Sequence, residues 1–185
     1  MKKQFVLAVA SLLFFASLQA QEKYFTKSGK IGFYSKAPLE NIEAHNKSVT
    51  CVLDTKTGNL QFAVLMKGFE FEKALMQEHF NENYVESHKY PKAEFKGQIV
   101  NTGEINYSQD GTYQAKVKGK LTIHGETKDV ETMGTITVKD GKMGANADFS
   151  VALEDYKIEI PKIVKDNISK IVKISVDCSL DPLKG

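Results

Sequence analysis

The chain of 185 residues contains no arginine and no tryptophan, and only two cysteines and four prolines. The missing arginine removes the planar guanidinium fork that nucleic-acid and phosphate recognition lean on. All 25 basic residues are therefore lysines, and without Lys2 and Lys3 they equal the 23 acids. A neutral chain has no electrostatic footprint for a polyanion, so nucleic acid is excluded as a partner class. Catalytic signatures are missing too. There is no GxSxG, no HExxH and no glycine-rich phosphate loop. The four histidines, His45, His79, His88 and His124, never pair at the spacing that puts two imidazoles on one ligand-ready face. No metal and no cofactor is expected. Ser87 beside His88 is adjacency rather than a triad, and Glu82 with Glu86 reads as a solvated helix surface.

The first twenty residues, MKKQFVLAVASLLFFASLQA, have a lysine pair, an apolar run and a small closing residue, Ala20. That is the layout of a secretory signal peptide, too short and wrongly flanked for a stable membrane anchor. No cysteine follows it, which argues against a lipoprotein anchor. The expected organisation is a signal peptide over 1–20 and one domain over 21–185, exported to the periplasm or secreted.

Beyond residue 30 the dominant signal is period two, the period of strands with one buried face. In YQAKVKGKLTIHG, Tyr113, Ala115, Val117, Gly119, Leu121 and Ile123 share one face. Gln114, Lys116, Lys118, Lys120, Thr122 and His124 share the other. Short glycine-bearing turns (TKTGN, SQDGT, HGET, KDGK) separate the runs. Eight strands are predicted: 30–36, 44–54, 59–67, 92–104, 112–124, 127–138, 142–153 and 168–180. Short connections make neighbours antiparallel, and eight long strands cure their open edges by closing into an all-β barrel.

Two insertions interrupt the meander. FEKALMQEHFNEN, residues 71–83, places Met76, Phe80 and Tyr84 one turn apart, predicting an amphipathic helix between strands three and four. Pro91 sets its latest possible end. IPKIVKDN predicts a short helix opening at Pro161, before the last strand. The crowded stretch HFNENYVESHKYPKAEFKG is thus a helix, a connection and the start of the fourth strand, rather than a catalytic centre.

Both cysteines, Cys51 and Cys178, fall on apolar strand phases. With the first strand between the second and eighth, their Cα atoms would lie about 9.5 Å apart, two strand spacings. A disulfide needs less than about 7 Å, so two buried free thiols are expected. On the inward phase, large residues (Phe62, Val64, Met66, Phe95, Ile99, Tyr113, Val117, Leu121, Phe149, Val151) alternate with Gly97, Ala115, Gly119, Gly134, Ala145 and Ala147. The large residues are the candidate ligand-contacting set, and the small ones favour an unfilled apolar tunnel over a solid core. Gly119 and Ala147 are the expected places to narrow it. Glycines that only permit curvature around a packed core are the alternative.

Two ordered motifs, LMQEHFNENYVESHKYPKAEFKG and GKLTIHGETKDVE, with Leu121, Ile123, Gly125, Thr127 and Lys128 in an LxIxGxTK pattern, resemble the YceI-like family of exported polyisoprenoid-binding proteins. The resemblance spans nearly the whole chain after the leader. It implies a lipocalin-like barrel whose interior takes a long-chain isoprenoid or other lipid, for carriage or sequestration, and no enzymatic activity. A secreted interaction or stress-related module with a packed core, and a hydrolase or isomerase acting on an apolar substrate, are the competing readings. The sequence leaves the oligomeric state open, with a dimer as one option.

Overall fold

The structure, a computed structural model, describes residues 22–183. The leader expected over 1–20 lies outside them. Nine strands form one antiparallel sheet: β1 (Lys23–Lys36), β2 (Asn41–Asp54), β3 (Asn59–Leu65), β4 (Glu70–Phe71), β5 (Lys92–Ile99), β6 (Gly111–Ile123), β7 (Glu126–Lys139), β8 (Lys142–Ala152) and β9 (Ile171–Pro182). The order β1-β9-β8-β7-β6-β5-β3-β2 closes through a β1–β2 pairing, giving the expected eight-stranded barrel. The additional β4 is two residues long and pairs with β2 at Ala44 and His45.

Most boundaries follow the alternation, and the departures have local causes. β1 begins at Lys23 instead of residue 30 because its buried phase flips, from Tyr24 and Thr26 to Gly29 and Ile31. Register shifts on both sides of Gly29 mark a β-bulge, which alternation cannot cross. β5 stops at Ile99, short of the expected residue 104. There buried Asn101 takes over the ladder, its Nδ2 donating to the Gln114 carbonyl (3.0 Å) and its Oδ1 accepting from Lys116 N–H (2.8 Å).

The predicted helix is shorter and less regular than its pattern. An α-helix, α1 (Ala74–His79), runs into a π-helical turn, Phe80–Tyr84, closed by Val85 N–H on the Phe80 carbonyl at 2.9 Å. Glu86, at φ 43°, ends it before Pro91 has any say. The second predicted helix is only a 3₁₀ turn, Lys162–Val164, with Pro161 before it.

The two barrel ends differ. Below, where β2–β3 and β7–β8 turn, Leu53, Ile99, Met143 and Leu180 are fully buried, and Ile105 and Tyr107 of the β5–β6 connection plug the end. Above, residues 66–91 and 153–170 fold over the mouth. Along the outer wall, cross-strand pairs Lys118–Glu131 (2.9 Å) and Lys120–Asp129 (3.0 Å) account for the lysine-rich phase. Exposed pairs of this kind contribute little, about 0.2–1 kcal/mol each.

The two cysteines are buried free thiols whose side chains meet across the intervening strand. The β1 bulge places Gly29 between them, and without a side chain there the two thiols interact across β1. The neighbouring Cys178 and burial push the Cys51 thiol up. A Cβ on Gly29 would lie 2.5 Å from Cys178 Sγ and 3.2 Å from the Val49 carbonyl oxygen. Gly29→Val is therefore expected to cost about 1–3 kcal/mol in urea unfolding. Cys178→Ala in the same chain should recover part of that loss, whereas equal loss in both backgrounds would show that the sulfur is not the obstacle.

Candidate ligand-binding cavity

The upper half of the barrel is not filled. A cavity of about 510 Å³ runs from Ile99, Ala115 and Ile136, above the packed lower core, to Glu40, Lys73 and Asn167 at the mouth. That volume lies within the range of about 300–1,000 Å³ typical of small-molecule sites. On β6 the lining extends from Ala115 to Ile123, eight residue steps, or about 26 Å of strand.

Nine of the ten large inward residues named from the sequence face this space. They are Phe62, Val64 and Met66 at β3, Phe95 and Ile99 on β5, Val117 and Leu121 on β6, and Phe149 and Val151 on β8. Tyr113 does not. It packs against the lower core, and its hydroxyl donates to the Gln109 carbonyl at 3.0 Å. Its phase on β6 is inward, but it sits below the floor of the cavity.

The role expected of the small residues divides. Ala115, Gly134, Ala145 and Ala147 line the cavity. Gly97 and Gly119 do not, because they pair directly across β5 and β6 and the Phe95 ring lies over them. A Cβ on Gly119 would meet the Gly97 Cα at 2.5 Å, the Lys96 carbonyl at 2.6 Å and Phe95 Cζ at 2.6 Å. This glycine pair lets an aromatic ring lie flat on the sheet, and Gly119 is not a place where the tunnel can be narrowed.

The roof is aromatic. Phe80, from the π-helical turn, stacks on Phe33 of β1 (5.3 Å between ring centroids) and meets Phe69 at 5.6 Å and Phe71 at 5.1 Å. Met76, Phe80 and Tyr84 all face the cavity, so the helical face read from the sequence is the one used. The π-turn keeps Tyr84 in line after the α-helical repeat ends.

The seam between β7 and β8 is incomplete. β7 and β8 pair only between Gly134↔Ala147 and Lys139↔Lys142. Above that, Glu126–Met133 stays with β6 and Asp148–Ala152 with β9, and Thr132 Oγ1 bridges to the Asp148 carbonyl at 3.4 Å. The lining includes Thr132 above the last pair of this ladder and Thr135 and Asn146 just below it.

Polar groups collect at the mouth. Glu40 accepts from Lys73 Nζ (3.1 Å) and Asn167 Nδ2 (3.3 Å), and these partners hold its carboxyl below the usual range. Burial, aided by Asp155, pushes the Tyr156 phenol up to about 12. Among the described residues no group of three metal-ligating side chains occurs, and no helix is long and apolar enough to cross a membrane.

His124 is the side chain that alternation misplaced. It was expected on the outward lysine face, yet its side chain is 13% exposed. Its Nε2 lies 2.9 Å from Glu86 Oε2, its Nδ1 3.0 Å from the Tyr156 carbonyl oxygen, and its ring meets Tyr90 at 4.7 Å. Strand phase ends at Ile123, and the left-handed backbone of His124 (φ 51°) turns the ring inward. Glu86 is accordingly a tie and not a solvated surface residue. One imidazole thus fastens both roof segments to the β6–β7 hairpin, helped by Lys157–Glu126 at 2.7 Å.

A sequence model described as the YceI-like domain matches residues 24–180. Among solved structures, a polyisoprenoid-binding domain from Saccharophagus degradans implicated in plant cell wall breakdown superposes with a TM-score of 0.76 at 11% identity, covering 88% of this chain and 99% of that one. BcnA of Burkholderia cenocepacia gives 0.66 at 17% identity, covering 82% and 95%. A YceI protein of Campylobacter jejuni gives 0.56 at 16% identity over the full length of both chains. No curated protein matches the sequence significantly.

Two outcomes follow. Gly119→Leu should destabilise by about 1–3 kcal/mol through overpacking, read from urea unfolding, and an unchanged midpoint would contradict the packing described here. Glu86 is held below the ordinary glutamate range, chiefly by its hydrogen bond with His124. Its contribution is therefore full above that range and is lost as pH falls through the lowered value. The difference in unfolding midpoint between the parent and His124→Gln should shrink from pH 7 to pH 3, and a constant difference would refute the tie.

Proposed function

The chain belongs to the YceI-like family, and from that membership and the open apolar cavity we propose that it is an exported binding protein for a long apolar chain, a polyisoprenoid or related lipid. The observation that carries this reading is the cavity itself, because a solid core of the interaction-module kind would leave no such space. Its walls are predominantly alkyl and aromatic, with Thr132, Thr135 and Asn146 beside the seam and Glu40, Lys73 and Asn167 at the mouth. A ligand made of methylenes and methyls gains about 0.8 kcal/mol per buried CH₂, so affinity comes from length and dryness. A polar head would remain at the mouth, beside Lys73 and Asn167.

Binding fits the site better than catalysis. No hydrogen bond among the described lining residues joins a nucleophile to a base, and the Glu40–Lys73 pair is engaged in holding the roof. The leader-like residues 1–20 support export to the periplasm or beyond, where a water-insoluble chain needs a carrier or a sequestering host. A neighbouring fold described as a polyisoprenoid-binding domain supports the same ligand class.

Mass spectrometry of lipids extracted from gently purified protein tests the reading, with a long-chain lipid in stoichiometric amount expected. Ala147→Phe, which places a ring in the lined space, should lower lipid occupancy with little change in Tm. A loss of about 1–3 kcal/mol of stability, with no lipid found in the parent, would mean a packed interior and end the proposal.

A further inference from the structure

The three most exposed large apolar side chains among the described residues are Ile163 (92%), Leu39 (73%) and Leu75 (60%). They come from three separate segments: the connection before β9, the β1–β2 turn and α1. All three segments meet at the cavity mouth, held by one carboxylate. Glu40 takes Lys73 Nζ from the start of α1 and Asn167 Nδ2 from the connection, while Leu39 N–H donates to the Asp166 carbonyl at 3.0 Å. Leu75 and Val164 belong to both the rim and the lining, so the apolar surface runs without a break from outside to inside.

Exposed apolar side chains clustered on one face mark an interaction site. The cavity behind them identifies the partner, because a long apolar chain has negligible concentration in water and is drawn from a bilayer. We propose that this rim is a membrane-docking face: Ile163, Leu39 and Leu75 insert into the head-group boundary of a lipid bilayer, and the apolar chain passes between them into the barrel. The proposal rests on the lipid-binding reading above. Charge suits such a surface without dominating it. Exposed Lys36, Lys162, Lys165 and Lys170 can lay their stems along the interface with their ammonium groups among head groups, while Glu72, Glu159 and Asp166 offset them. Docking should therefore depend on apolar insertion, with only a modest gain from anionic lipid.

Flotation with phosphatidylcholine vesicles, with and without added phosphatidylglycerol, tests the rim directly. The parent should float with both. Ile163→Asp combined with Leu39→Asp should reduce the vesicle-bound fraction about tenfold or more. Met133→Asp, an exposed apolar residue on the barrel wall, serves as a control and should float like the parent. All substituted side chains are exposed, so Tm should be unchanged. In parallel, a pyrene-labelled long-chain lipid is offered to each protein from dilute solution and from donor vesicles. The rim variant should bind it from solution like the parent but take it from vesicles about tenfold more slowly. Equal flotation of parent and rim variant, or a parent that does not float, overturns the docking face. A probe that binds neither protein from solution overturns the lipid-binding reading, and flotation still decides the rim on its own.

Discussion

The upper half of the protein depends on the stacking of Phe80 against Phe33. A barrel open at one end exposes its apolar lining to water, and each large side chain left there forgoes about 1.5–3 kcal/mol of burial. Phe80 brings α1 and its π-turn over the opening and completes a cluster with Phe69 and Phe71. The helix is too short to hold itself by hydrogen bonds alone, and its N-terminus has no side-chain cap. It is helical because its aromatic face has somewhere to go. The π-turn belongs to the same constraint, since it keeps Met76, Phe80 and Tyr84 all directed at the cavity.

The lower half is built on the opposite principle. Leu53, Ile99, Met143 and Leu180 leave no room, and Ile105 seals the end. Rigidity below allows emptiness above: eight strands set at one end by close packing can be held apart at the other. The Glu86–His124–Tyr156 tie and the Glu40 node then fix the two roof segments with few polar contacts. In both places the polar group sits at the margin of the cavity, where its desolvation costs little, and the interior stays apolar.

What the sequence makes legible is whatever depends on neighbours along the chain. Alternation in β6 and β8 identifies the inward face, glycine-bearing turns identify the hairpins, and a four-residue spacing finds the helical face that Phe80 uses. What escapes depends on neighbours across the sheet. The phase flip at Gly29 lies in a bulge defined by its partners β2 and β9, and it brings Cys51 and Cys178 into contact despite the strand between them. Gly119 reads as empty space, but Gly97 and Phe95 fill it from the facing strand. Tyr113 has the right phase at the wrong height, because nothing local reveals where the packed floor ends. His124 follows the alternation by count, yet it stands in the turn, where alternation no longer applies.

The unfinished seam between β7 and β8 bears on self-association. Two stretches of strand there carry backbone groups without a ladder partner across the gap, and such edges invite another chain to add a strand. The side chains bordering the gap oppose it. Glu126, Asp129 and Glu131 stand along β7 and Asp148 faces them on β8, and each has its lysine on a neighbouring element: Lys157, Lys120, Lys118 and Lys173. Charged side chains along an open strand edge discourage the addition of another strand, so the gap carries its own deterrent.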